Sequence, residues 1–282
     1  MLPAVASGDQ PGMKRPIASC FLLDMDGVLY HGDRALPGAR EFLDAVSDHP
    51  HLFLTNNPWR PPEEVARRLS EMGLGEVPPE RILTTAEATA RWLSREKPGF
   101  RYFAVGGHGL HRALAEVGTE DPEQADFVVV GEGPGLDFDS LTTGINLVLS
   151  RGARLVATNP DLTVDGWHEG KHRVLPGCGA LVAPFEVATE REAVVIGKPE
   201  PLLYQMAMER LATTPEACIM VGDRPDTDIA GAARLGMRTA LVRTGRFPPG
   251  APWPDPLPRP DWDVTSLEAL IGAFREAGVL RR

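Results

Sequence analysis

"FLLDMDGVLYHG" (residues 21–32) decides how this chain is read. Three apolar residues, Phe21 to Leu23, run straight into two aspartates, Asp24 and Asp26, and then Gly27. In an extended strand, residues i and i+2 point to one side. Two carboxylates held that way repel and raise each other's pKa unless a cation lies between them. Alone, the pattern also suits a plain turn, since Asp and Gly both favour turns. What decides between the two is the rest of the chain.

Working outward, short apolar runs recur. They are "CFLL" (20–23), "LFLT" (52–55), "YFAV" (102–105), "FVVVG" (127–131), "RLVAT" (154–158), "AVVIG" (193–197), "CIMVG" (218–222) and "RTALV" (238–242). Helical patterns lie between them. "PPEEVARRLSEMG" opens on prolines and glutamates and stops at Gly73. "TAEATARWLSRE" starts from a Thr cap, and a last helix starts from Ser266. Continuous apolar strands alternating with helices predict a parallel sheet covered on both faces, hence an α/β, doubly wound fold. Eight strands exceed one compact sheet of this length, so a second α/β unit is expected.

In open α/β sheets, ligands bind beyond the carboxyl ends of the strands. Four such ends deliver chemistry: Asp24 and Asp26; Thr55, Asn56 and Asn57; Lys198; and Asp223 with Asp228. The ends after "YFAV", "FVVVG" and "RLVAT" carry little reactive chemistry. The division predicts a core of residues 18–98 and 192–282, with 99–191 inserted as a second unit. Residues 1–17 read as a disordered lead-in without a secretory signal. The segment 247–262 reads as a proline-rich surface excursion.

Asp24, Asp26 and Asp223 can share one hard divalent cation, and Mg²⁺ suits such a site because it takes few carboxylates and completes its shell with phosphate oxygen. Lys198 and Thr55 supply charge and a donor for the remaining phosphate oxygens. A carboxylate left free can attack phosphorus to form an aspartyl-phosphate. The carboxylate two residues on can protonate the leaving oxygen and then deprotonate water.

"DMDGVL", "TNN", "GKP" and "GDRPDTDIAGA", in that order, resemble the four motifs of the haloacid dehalogenase superfamily of phosphohydrolases. The nearer likeness is to its NagD-type branch of nucleotide, p-nitrophenyl, phosphoglycolate and pyridoxal phosphatases. "TNPDLT", "PGCGALVAPFE" and "GKPEPLLY" extend it, over roughly residues 18–275. The resemblance implies a Rossmann-like core with an α/β cap inserted after the second motif. It implies Asp24 as nucleophile and Asp26 as general acid/base and, through its carbonyl, a Mg²⁺ ligand. Thr55 and Asn56, with Asn57 adjacent, would hold the phosphoryl oxygens, and Lys198 would neutralise nucleophile and phosphate. Asp223 would ligate Mg²⁺, and Asp228 would act from behind it. A homodimer through the cap is also implied. Some pyridoxal-type relatives carry a run like "DGWHEGKH" (165–172), which makes Trp167 a pocket wall and His168 a donor to the leaving group; a mobile surface loop is the plainer reading.

Composition narrows the alternatives. Net charge is −10 with no basic run, which disfavours a nucleic-acid partner. No stretch is apolar enough to span a membrane. Cys20, Cys178 and Cys218, odd in number and widely spaced, suggest buried thiols in a reducing cytoplasm. "GGHG" and "GEGPG" lack a dinucleotide fingerprint and read as cap loops. His108 and His111 read as surface residues, Trp59 as packing and Asp226 as solvent-facing. The expected function is Mg²⁺-dependent hydrolysis of a small phosphorylated metabolite: a nucleotide, sugar phosphate, phosphoglycolate, pyridoxal phosphate or p-nitrophenyl phosphate. Another phosphoryl-transfer enzyme on this core, or a non-catalytic phospho-receiver or binding protein, is the alternative. Asp26 disfavours dehalogenation, which has no leaving alkoxide to protonate.

Overall fold

A computed structural model describes residues 20–168 and 171–281, with Trp167 and His168 described by their backbone alone. The lead-in and the His168 side chain therefore lie outside the described residues. Six parallel strands form the core sheet, in the spatial order Trp262–Val264, Arg238–Val242, Cys218–Gly222, Cys20–Leu23, His51–Thr55, Ile82–Thr84. By chain position that order is 3-2-1-4-5-6 read from the other edge, the doubly wound Rossmann arrangement. Its switch point lies between Cys20–Leu23 and Cys218–Gly222.

The first strand is buried at every residue. Its side chains alternate: Cys20 and Leu22 join one hydrophobic cluster, while Phe21 and Leu23 join the other. A strand sandwiched between two cores needs a continuous apolar run, which is why "CFLL" is apolar throughout. Helices cover both faces. Thr84 caps Thr85–Glu96 by accepting the Glu87 N–H at 3.2 Å, and Ser266 caps Leu267–Glu276 in the same way. Each such cap contributes about 1 kcal/mol.

A second sheet of five parallel strands has the order Val194–Val195, Arg154–Ala157, Phe127–Val130, Arg101–Val105, Thr119–Glu120. One of its faces shares the cluster of Leu83, Trp92 and Leu93 through Phe127, Val129 and Val156, so the two sheets are packed through common side chains. The other face packs against Phe138–Arg151 and Cys178–Thr189.

Three expectations need correction. "AVVIG", read as a core strand, contributes Val194–Val195 to the second sheet, paired with Val156 and Ala157; an apolar run does not say which sheet it joins. Ile82–Thr84 and Trp262–Val264 complete the core sheet, although three residues are too few to show a period, and the second closes the proline-rich excursion. The run at 165–172, read as a loop, belongs to a β-hairpin, Thr163–His168 with Lys171–Pro176. All three cysteines are buried and free. Among the described residues, no helix is long and apolar enough to cross a membrane.

Candidate active site

Asp24 directly follows the Cys20–Leu23 strand, and Asp223 directly follows Cys218–Gly222. The two strands are neighbours, so both acids meet at the switch point. Asp24 N–H donates to Val221 O at 2.9 Å, which continues the ladder one residue past the strand and fixes that side chain. A π-turn, Pro225–Ile229, carries Asp228 to the same place, as such turns often do at functional sites. Among the described residues, Asp24, Asp223 and Asp228 form a cluster whose carboxylate oxygens lie within 4.8 Å of one another. Glycines make the room. A Cβ on Gly222 would fall 2.3 Å from Asp228, and one on Gly27, whose φ is +82°, would fall 2.6 Å from Asp223 Oδ2.

Lys198 is 3% exposed and binds two of the acids: Nζ lies 2.6 Å from Asp24 Oδ1 and 2.7 Å from Asp228 Oδ1. Burial works against its charge, but the Asp228 and Asp24 carboxylates outweigh it and hold the ammonium above its ordinary range. Burial pushes Asp24 up to about 7, against the pull of Lys198 and with added repulsion from Asp228. Burial, then the charges of Asp24 and Asp228, push Asp223 well above the carboxylate range. Three carboxylates thus face one ammonium, and the described bond to Asp223 is a neutral one, from Arg246 N–H at 2.8 Å. This surplus of oxygen ligands and negative charge fits a hard divalent cation held by Asp24 and Asp223, with Asp228 steadying Lys198.

Asp26 stands apart from this cluster, and its carboxylate is exposed. The i, i+2 argument placed it beside Asp24, but the strand ends at Leu23 and the chain then turns, with Leu29 N–H bonded to Met25 O at 2.8 Å. Period-two geometry does not survive the turn. Asp26 still lines the same cleft, 3.9 Å from His31 Nδ1. Desolvation by the cleft raises its carboxyl, with His31 opposing.

Thr55 ends its strand facing the cleft; its Oγ1 accepts the Asn57 N–H at 3.1 Å and keeps its own hydrogen to donate. The Asn56 side chain has a different task from the one the resemblance implied. Its Oδ1 accepts Lys198 N–H at 2.8 Å, and its Nδ2 donates to Lys198 O and Asp161 Oδ2, each at 2.9 Å. This side chain holds the lysine main chain. Asn57 Oδ1 accepts Trp59 N–H at 2.7 Å.

The second unit contributes more to the site than its strand ends promised. Glu132, 2% exposed, accepts Asn159 Nδ2–H at 2.9 Å and lines the cleft; burial pushes its carboxyl up to about 8, with that hydrogen bond opposing. Asn159 also donates to Asn56 O at 2.7 Å, and Asp161 pairs with Arg224. "TNPD" carried a legible sign: polar groups immediately after a parallel strand, as in "TNN". The plainer readings of His108, which pairs with Glu64, and of exposed Asp226 agree with the structure. The cleft holds about 200 Å³, room for a small ester.

Comparison with known proteins agrees with this arrangement. A haloacid dehalogenase-like hydrolase model matches residues 21–120, and a HAD-hydrolase-like model matches residues 195–270. An acid sugar phosphatase of Staphylococcus haemolyticus is 37% identical over 230 residues, 80% of this chain and 85% of that protein. The solved NagD of E. coli K-12 superposes with a TM-score of 0.78 at 32% identity, over 89% of this chain and 97% of that one. A p-nitrophenyl phosphatase from Archaeoglobus fulgidus gives 0.83 at 29% identity, over 92% and 100%. In that superfamily a divalent metal serves an acid cluster of this kind. An α/β core that carries an acid cluster at the switch point, with these relatives, makes the chain a NagD-type phosphatase of the haloacid dehalogenase superfamily.

Proposed function

We propose that this phosphatase hydrolyses a small phosphorylated polyol or sugar, with Mg²⁺ as its metal and Asp24 as the group that is transiently phosphorylated. The observation that carries the reaction is the grip of Lys198 on Asp24 at 2.6 Å. It leaves one carboxylate oxygen paired and steadied, and the other available to attack phosphorus in line. The phosphorus–ester oxygen bond breaks as the Asp24–phosphorus bond forms. Asp26 delivers a proton to the departing alkoxide, then takes one from water as the phospho-aspartate is hydrolysed. Thr55 and Lys198 donate to the phosphoryl oxygens. Asp24, Asp223 and the Asp26 carbonyl would hold the metal, which would neutralise phosphate charge.

The substrate class is drawn from the walls. Among the described residues around the cleft, Val164 is the one aliphatic side chain of any size and none is Phe, Tyr or Trp, while Asp165 and Arg246 offer charge and His31 and Glu132 hydrogen-bonding atoms. Such a lining suits a hydroxyl-rich leaving group better than an aromatic ring. The acid sugar phosphatases among the relatives point the same way. The test is phosphate release over a panel of sugar, polyol, nucleotide and pyridoxal phosphates, with and without chelator. A best kcat/KM on a sugar or polyol phosphate, abolished by chelation and restored by Mg²⁺, supports the reading. A preference for pyridoxal or nucleotide substrates rejects the substrate class, and metal-independent turnover rejects the chemistry.

A further inference from the structure

Arg246 forms bonds in two directions. Its main-chain N–H donates to Asp223 Oδ2 at 2.8 Å. Its side chain reaches the hairpin of the inserted unit, where Nε donates to Asp165 Oδ2 at 2.9 Å and Nη1 to Thr163 O at 3.0 Å. These two side-chain bonds tie the hairpin to the core. The hairpin also packs on Cys178–Thr189, a helix of its own unit. Asp165 is fixed from its other side by His172 Nε2 at 2.7 Å; burial opposes its charge, but His172 and Arg246 together hold the carboxyl below its ordinary range. Thr163, Asp165 and Arg246 all face the cleft that holds Asp24.

From this geometry we propose that Arg246 is a positioning residue: its side chain latches the Thr163–Pro176 hairpin over the cleft and so sets how well the enzyme discriminates by leaving group. A phosphoryl group would be met by Thr55 and Lys198, which lie on the core side of the cleft. The far end of a longer leaving group meets the hairpin, and its fit depends on where the latch holds that hairpin. The pair is partly exposed, at 36% and 23%. A pair of that kind contributes roughly 1 kcal/mol or less. This is enough to bias the hairpin's position and little enough to open for substrate entry and product release. The proposal deepens the substrate reading above by naming the residue that enforces it.

The two roles of Arg246 are separable by chemistry. Any residue but proline keeps the main-chain N–H on Asp223, so Arg246→Gln removes the latch and leaves that bond. Asp165→Ala removes its carboxylate half from the other side and leaves the bond to Thr163 O. Amide hydrogen exchange of the hairpin in the substrate-free protein is the first readout, and both variants should speed exchange there while the core strands stay protected. The second is the ratio of kcat/KM on the best sugar phosphate to that on p-nitrophenyl phosphate, which should fall about 5-fold, mostly through KM, in each single variant. The double variant should lose no more than Arg246→Gln alone, because the Asp165 bond is one of the two that Arg246 makes. Unchanged hairpin exchange, or equal losses on both substrates, would overturn the latch. If the wild type cleaves p-nitrophenyl phosphate and no sugar phosphate, the substrate reading fails, and the exchange experiment still decides the latch.

Discussion

Asn56 grips Lys198 at two points: its Oδ1 takes the Lys198 N–H at 2.8 Å and its Nδ2 gives to the Lys198 carbonyl at 2.9 Å. The residues are 142 apart in sequence, one at the end of a core strand and the other just past the last strand of the inserted unit. An amide can make this pair because it carries one acceptor and one donor group. The grip holds the Lys198 main chain while Nζ reaches Asp24 and Asp228, so the placement of the proposed nucleophile depends on an asparagine bonded to the lysine's main chain.

Asn56→Ala should therefore lower kcat by about 10- to 100-fold, since displacing a catalytic group by an ångström is worth that much. It should also cost about 1–3 kcal/mol of stability from the lost hydrogen bonds. Asn56→Asp should be worse, because an oxygen would then face the Lys198 carbonyl and the Asp161 carboxylate. Steady-state kinetics with urea unfolding measures both. A normal kcat in Asn56→Ala would show that Asp24 and Asp228 alone position Lys198.

Asp26 stands outside the metal cluster on the open side of the cleft, which suits proton delivery to a leaving group. Asp26→Asn should slow a sugar or alkyl phosphate by about 10²- to 10⁴-fold, the usual contribution of a general acid. p-Nitrophenyl phosphate needs little protonation as it leaves and should suffer much less in the first step. The comparison is a plot of log kcat/KM against leaving-group pKa, which should steepen in the variant. Parallel plots would mean that Asp26 acts by shaping the loop whose carbonyl would help hold the metal.

Asp223 is buried among like charges, with a main-chain N–H as its described partner. Its ionised form is held at a cost until a cation arrives. Without metal, Asp223→Asn should be at least as stable as the wild type at neutral pH, because the variant removes a strained charge. With Mg²⁺ at about 100-fold its dissociation constant, the wild type should gain about 2.7 kcal/mol, and the variant far less. Thermal unfolding with and without Mg²⁺ checks both signs. A variant that is less stable without metal and gains as much with it would remove Asp223 from the ligand set.

Much of this site is legible in the sequence because the motifs sit at strand ends, and the strands are apolar enough to be found. Asp24, Thr55, Lys198 and Asp223 are each the first or last residue of a readable run or lie within three residues of one. What sequence could not give is the direction of a side chain once the strand stops: Asp26 is absent from the acid cluster, and the Asn56 side chain turns to the Lys198 main chain. The contribution of the inserted unit was also missed. Glu132 and Asp161 line the cleft, with Asn159 bonded behind them, through the way one sheet packs on another; "TNPD" hinted at polar groups there, but not at which cleft they enter. The same holds for Val194–Val195, whose sheet is chosen by tertiary pairing.

Glu132 gives the last prediction, and its sign follows from linkage. Its carboxyl is raised by burial from an ordinary value of 4.5 to about 8 in the folded protein. The folded state therefore holds this proton more tightly than the unfolded chain does. The stability it contributes is complete below about pH 4.5 and is lost as pH rises through about 8, at up to about 1.4 kcal/mol per pH unit within that window. Glu132→Gln keeps an Oε1 acceptor for the Asn159 amide and abolishes the titration. The variant should match the wild type at about pH 4.5 and exceed it progressively towards about pH 9, by urea midpoints measured without metal. Asp24 and Asp223 also titrate out of range, but they are present in both proteins, so the difference between the two curves reports Glu132. Parallel curves across the window would place the Glu132 carboxylate in contact with solvent and strip it of any role as a neutral donor to a substrate hydroxyl.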